Sequence, residues 1–462
     1  MRGFGLGTVA LRQLMAADAA PSDSESPGVG PHHPPRAKNV ILLFMVGGVS
    51  QLESFDHKPL LRKHADRSAT DLFTTEELDG LNPEKDYSKS KVLQPVFRFK
   101  QHGECGMWVS EIFPHLAGVV DEITMINSMR AASSIHSVGQ ILMHTGYLRP
   151  GHPSLGSWVT YGLGSENQNM PGFVVLRDGV SSAGTSMYES GFLPGSYQAT
   201  VVEAKTRDFR IEHLQRPGHL SSQQQQRQLE LMTRLNRLHA KQHRSQSDLN
   251  ARIESFETAF RMQSAAPELF DVGRESESTL KLYGDTPFGK QCLTARRLVE
   301  NGVRFVEIFN GSRGRRWDAH GNRGGLIDNH RGNAANTDQG IAALILDLKS
   351  RGLLDETLVI WATEFGRTPF EEANREVKIG RGHHHYGFSM WMAGGGIKRG
   401  LTYGATDDFG MHAVENPVSH HDLHATILHQ LGLDHERLTW RHNGRDFRLT
   451  DVAGNVVSDI LT

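Results

Sequence analysis

VILLFMV, residues 40–46, preceded by Asn39 and followed by Gly47 and Gly48, is an apolar run without polar alternation. A run this short, preceded by Arg36 and Lys38 and closed by two glycines, reads as a strand buried on both faces. That is the pattern of a central strand in a parallel sheet. Outward from it, similar runs recur at residues 173–176 (FVVL), 303–309 (VRFVEIF), 358–363 (LVIWAT) and 388–394 (FSMWMAG). The stretch 333–351 (NAANTDQGIAALILDLKSR) puts Ile341, Leu344 and Leu348 on one helical face, stops at Gly352 and leads straight into LVIWAT. A helix feeding a buried strand, repeated, predicts a doubly wound α/β fold: a mainly parallel sheet with helices on both faces.

Residues 221–263 differ. A glutamine run, Gln223 to Gln226, is followed by Leu229, Met232, Leu235, Leu238, Leu249, Ile253, Phe256 and Phe260 at helical spacings. We read one or two amphipathic helices inserted into the fold and packed over the sheet, with a coiled-coil partner site as the rarer alternative. Residues 1–20 carry one early Arg, a short apolar middle and small residues near the end, in the manner of a truncated signal peptide. They imply export to a periplasmic or extracellular space. Residues 21–37, rich in Ser, Pro and Gly, read as a linker, and 38–462 as the α/β domain.

The 462 residues include 50 basic and 52 acidic side chains, so no global field draws the chain to nucleic acid or to an anionic membrane. No stretch reaches the roughly 18 to 20 apolar residues of a membrane span. With Cys105 and Cys292 as the only cysteines, far apart in sequence, a thiolate metal site is excluded and two buried free thiols are expected. Composition is silent on oligomeric state.

The chemistry-bearing residues collect near predicted strand ends, where open α/β sheets place their ligands. Trp317-Asp318-Ala319-His320 follows the VRFVEIF strand, and an Asp and a His two apart in a loop can reach one cation. Glu364 ends LVIWAT and must be solvated, paired (Arg367 is close by) or bound to metal, because an unpaired buried charge is costly. His383, His384 and His385 form a cluster that packing does not readily explain. Asp422 is an N-cap candidate for the helix after His421, and Asp56 or Glu53 could complete a metal shell from the loop after the first strand. Ser133, Ser134 and Ser137 surround His136 at a predicted helix start, where a hydroxyl can be a nucleophile toward an anionic ester or can merely cap the helix.

The stretches FMVGGVSQLESFDHKP, FKQHGECGMWVSEIFPHL, WDAHGN, GLLDETLVIWATEFGRTP and ENPVSHHDLHATILHQLGLDHERLTWRHNGRDFRLTDV resemble the family called domain of unknown function 1501, often labelled sulfatase-like. The resemblance covers nearly everything from Lys38 onward. It implies an alkaline-phosphatase-like core, one or two metals at strand ends, and attack on an ester by a hydroxyl or modified cysteine. Asp318, His320, Glu364 and His383 fall where the family's motifs place acidic and histidine residues. The family's Gly-Arg-Asp-His is Gly380-Arg381-Gly382-His383 here, one acid short. Counting back nine residues from Thr145, as sulfatase-type members place their nucleophile, lands on His136, and Cys-x-Pro-Ser-Arg is absent.

The expectation is therefore a metal-dependent hydrolase of phosphate or sulfate esters, not of the formylglycine type. It would bind Zn, Mn, Mg or Ca through Asp56, Asp318, His320, Glu364, His383 and His384. Ser134, His136 or Ser137 would act at the reacting centre, with Arg367 or Arg381 neutralising developing charge. The substrate would be a small-molecule or polysaccharide ester. The alternative is a non-catalytic exported binding or cell-surface protein that keeps the fold.

Overall fold

The structure is a computed structural model; it describes residues 30–462 apart from 82–85, 168, 180, 205–220, 222, 225, 226, 229, 233, 236–267, 312–316, 322–324 and 373–378. The leader and most of the linker, together with most of the 221–263 insertion, lie outside the described residues. Within the insertion, Met232 and Leu235 are exposed on helical turns, so the expected packing over the sheet does not hold for them.

The strands in chain order are β1 (Asn39–Met45), β2 (Phe99–His102), β3 (Met107–Ser110), β4 (Ile123–Arg130), β5 (Phe173–Arg177) and β6 (Thr200–Glu203). They continue with β7 (Phe305–Asn310), β8 (Thr357–Ala362), β9 (Gly366–Glu371), β10 (Arg381–His384), β11 (Phe388–Ala393) and β12 (Leu401–Tyr403). The main sheet runs β12-β4-β11-β8-β1-β7-β5-β6, with the short strand Val418–Ser419 also on β4. β1 lies at its centre, parallel to both β7 and β8. The helices that matter for the site are α1 (His136–Thr145), α2 (Leu155–Leu163), α3 (Pro287–Glu300), α4 (Gly325–Ser350) and α5 (His420–Gln430).

The apolar run of β1 is divided between two cores. Ile41, Leu43 and Met45 pack under α3 and α4 with Leu293, Ile341, Leu344 and Leu348. Val40, Leu42, Phe44 and Val46 pack on the other face with Met143 of α1, Trp158 of α2 and Leu423 and Ile427 of α5. Period-two alternation with both faces covered is why the run carries no polar residue.

β11 departs from the parallel pattern, running antiparallel to both β8 and β4. The reason is the connection. A parallel return needs a crossover of a dozen or more residues through a helix. Here the chain leaves β8, forms the antiparallel β9–β10 hairpin and re-enters from the same end of the sheet. α4 starts eight residues before the position its periodicity suggested, at Gly325. Asp422 is not the N-cap of α5: Ser419 is, and Asp422 completes a capping box from the third helical position. Both cysteines are free, but only Cys292 is buried; Cys105 is exposed.

Candidate metal centre

The C-terminal ends of β1, β7 and β8 converge, and the loops beyond them build the site. Trp317 anchors the WDAH loop: its N–H donates to Val46 O at 2.9 Å and its indole N–H to Asn310 Oδ1 at 2.9 Å. Fully buried against Phe113 and His330, it sets the next residue, Asp318, above the sheet. Gly380 lets the hairpin approach this loop. A Cβ there would stand 2.0 Å from Gly321 N and 2.1 Å from His320 C, so no other residue fits.

His136, Asp318, His320 and His383 form one group in which one ligand atom from each lies within 4.8 Å of all the others. Asp318 Oδ1 is 2.7 Å from His320 Nε2, 3.2 Å from His136 Nε2 and 3.3 Å from His383 Nε2. The Nε2 atoms of His320 and His383 are 2.8 Å apart. His136 Nε2 is buried and faces Asp318 Oδ1 at 3.2 Å without a well-aligned hydrogen bond. Three imidazole nitrogens and a carboxylate oxygen turned on one point form a donor set suited to a divalent cation of the zinc or manganese kind.

The far sides of two of these rings are held by carboxylates. His136 Nδ1 donates to Glu364 Oε1 at 2.8 Å, and His320 Nδ1 is hydrogen-bonded to Glu372 Oε2. Metal-ligating imidazoles are commonly backed in this way, because the acceptor fixes ring orientation and tautomer. Glu364 is itself saturated. Gly47 N–H reaches both of its oxygens, at 2.9 and 3.1 Å, Gln140 Nε2 donates at 2.9 Å and Thr363 Oγ1 at 3.2 Å.

Burial alone would raise the pKa of Glu364, but the hydrogen bonds from His136 and Gln140 win and push it down to about 2. Asp318 is held far below the usual carboxylate range: burial opposes ionisation, and the three imidazoles and Arg367 overcome it. Burial lowers His383 to about 3, leaving its ring neutral at ordinary pH, as a ligand must be. For His136 burial is outweighed by Asp318 and Glu364, and its pKa lies above the ordinary imidazole value.

The sequence candidates separate accordingly. Asp318, His320 and His383 come together, joined by His136, which the sequence placed at the reacting centre. Glu364 stands behind His136 rather than within the group. Asp56 is elsewhere, in an ion pair with Lys58 at 3.0 Å and accepting from Thr406 Oγ1. His384 is buried and bonded to Gly387 O at 3.2 Å, outside the group. Ser134 and Ser137 flank His136, both half-buried.

Arg367 and Arg381, expected to neutralise developing charge, both carry several hydrogen bonds to the protein itself. Buried Arg367 gives its N–H groups to Gly47 O, Gly48 O, Arg381 O and Asp318 Oδ1. Arg381 is spent on Glu53, Thr368 O and Leu93 O. Arg367 thus ties the loop after β1 to the cluster itself, and Arg381 ties the β9–β10 hairpin to Glu53 and the segment at Leu93. Glu372 and Gln140 were missed by the sequence reading, since neither lies in a motif; only proximity in the fold finds them.

Residues 37–461 match the family described as "Protein of unknown function (DUF1501)". The chain belongs to this family. No curated protein matches this DUF1501 chain. Among solved structures it is similar to a protein in the alkaline phosphatase superfamily from Vibrio parahaemolyticus, at 10% identity and TM-score 0.36, covering 94% of this chain and 77% of that one. The PsFucS1 sulfatase from Pseudoalteromonas sp. is similar at 11% identity and TM-score 0.36, covering 94% and 73%. The lipoteichoic acid synthase LtaP from Listeria monocytogenes is similar at 9% and 0.34, covering 93% and 78%. Likeness at this level carries no chemistry across, so the site must speak for itself.

If His136 is a ligand, replacing its backing carboxylate should weaken metal binding. Glu364→Gln is expected to lower zinc affinity by roughly 10- to 100-fold, the usual cost of losing such a partner. Isothermal titration against wild type checks this, and unchanged affinity rejects the ligand role of His136.

Proposed function

We propose that the protein is a metal-dependent hydrolase of phosphate or sulfate esters, with His136, Asp318, His320 and His383 holding the cation. The observation that supports it is the convergence of three Nε2 atoms on Asp318 Oδ1, with carboxylates behind His136 and His320. A divalent cation supplies Lewis-acid polarisation of an ester oxygen. The chain's own contribution is to keep the imidazoles oriented and His383 unprotonated, and to hold Asp318 ionised. Ser134 or Ser137 is the candidate nucleophile, on either side of His136; without one, attack is by water. We propose further that residues 38–462 are one domain, exported, acting on a small-molecule or polysaccharide ester. Among the described residues no helix is long and apolar enough to cross a membrane.

A second reading, a non-catalytic exported binding protein, is favoured by the bonding of Arg367 and Arg381, which leaves neither poised for a substrate anion. Metal analysis and assays on aryl phosphates and aryl sulfates separate the two. The hydrolase should purify with stoichiometric metal and turn over one ester class. Bound metal without turnover selects the binder, and absence of both rejects the cation site.

A further inference from the structure

Gln140 lies on α1, one turn after His136, and is almost wholly buried. Its side-chain oxygen takes three donors from the loop after β5: Ser182 Oγ at 3.0 Å, Ser181 Oγ at 3.2 Å and Ala183 N at 3.2 Å. An amide's oxygen and nitrogen are normally hard to tell apart, but a main-chain N–H can only donate. The atom facing Ala183 is therefore the oxygen, and the NH₂ must face Glu364, where it donates at 2.9 Å to the same oxygen that receives His136 Nδ1. The Gln140 carbonyl is taken in turn by His144 Nδ1 at 2.6 Å, which fixes the helix turn beneath it.

We infer that Gln140 is a positioning residue. Clamped by Ser181, Ser182 and Ala183, its amide keeps Glu364 an acceptor, so the imidazole of His136 stands with Nδ1–H toward Glu364 and Nε2 toward Asp318. A flipped or absent amide removes the one side-chain amide donor to the Glu364 oxygen that receives His136, leaving Gly47 N–H alone beside the ring on that oxygen, and the ring's orientation is less firmly fixed. The β5 loop thus acts on a ligand it does not touch, through two successive side chains, Gln140 and Glu364. The effect on metal affinity rests on the hydrolase reading; the ring orientation does not.

Two substitutions of similar size separate the parts of this role. Gln140→Glu keeps the acceptor for the loop but sets a second carboxylate against Glu364, whereas Gln140→Met removes both functions. With zinc alone as the probe, each variant should bind about 10-fold more weakly than wild type, at the lower end of the range for outer partners of a ligand. In the metal-free protein at alkaline pH, histidine ring ¹⁵N spectra should show His136 protonated at Nδ1 in wild type and mixed between its nitrogens in both variants. A residue that merely fills space would leave that spectrum alone.

Wild-type affinity together with an unchanged His136 spectrum in a folded Gln140→Glu protein overturns the inference. If wild type itself binds no zinc, the hydrolase reading fails and the ring spectra alone decide this one. Should both Gln140 variants fail to fold, the double replacement of Ser181 and Ser182 by Ala loosens the clamp from outside. It should weaken zinc binding in the same direction, and unchanged binding there is likewise fatal.

Discussion

Asp318→Asn is expected to abolish metal binding, lowering zinc affinity by on the order of a thousandfold or more, since losing an outer partner alone costs 10- to 100-fold. The substitution is isosteric, so packing under the Trp317 anchor is kept. What disappears is the single negative charge on which His136, His320, His383 and Arg367 all converge. Four groups that are cationic or can become so would then share one small volume without a counter-charge, and a dication adds to the repulsion. Calorimetric titration with zinc, run beside a thermal melt to show that the variant folds, measures it. A folded Asp318→Asn protein that binds zinc as wild type does would end the proposal for this site.

The second large effect is on stability in mild acid. His330, His384, His420 and His424 are fully buried, and burial pushes the first two and the last to about 3 and His420 well below its ordinary value. They are neutral in the folded chain and titrate near 6.5 once it unfolds. The unfolded state therefore binds more protons between 6.5 and the folded values, and stability is complete above 6.5 and lost as pH falls through that window. Each group contributes a slope of roughly 1.4 kcal/mol per pH unit, together about 5 kcal/mol per unit.

Other buried groups respond in the opposite sense. Burial raises Glu53, Asp56 and Glu307, and their uptake of protons in the folded state offsets part of the loss. The raised values of His136 and His144 add stability only as pH falls toward 6.5, and nothing further below it. Against a typical total of about 5–15 kcal/mol, a slope of about 5 kcal/mol per unit, reduced by these offsets, predicts cooperative unfolding roughly one to three pH units below 6.5. Circular dichroism followed from pH 8 to 3 checks this, and a chain still folded at pH 3 contradicts it.

Much of the architecture was legible because its signal is local. Residues 40–46, 173–176 and 358–362 are apolar without alternation, the pattern of a strand covered on both faces. β4 was missed because Thr124, Asn127, Ser128 and Arg130 interrupt its apolar residues, and the direction of β11 because strand sense depends on the connection rather than on the strand. At the site, Asp318, His320 and His383 could be picked out by residue type near strand ends. Asp56 and His384 looked equally good, since no local pattern says which imidazole of three consecutive histidines turns inward. The pairings of Arg367 and Arg381 are long-range, as is the Thr406 contact of Asp56, whose ion pair with Lys58 is local. His136 was found for a different role, and its partnership with Glu364 spans 228 positions of sequence.

That separation bears on how the molecule is assembled. Asp318 and His383 are 65 positions apart, and His136 is far from both. The segments carrying them meet only after α1 has docked, β1, β7 and β8 have paired and the β9–β10 hairpin has closed over the WDAH loop. Loop-closure entropy must be overcome by the sheet before the donors become neighbours. A cation can therefore seal this fold once it is complete, but cannot seed it.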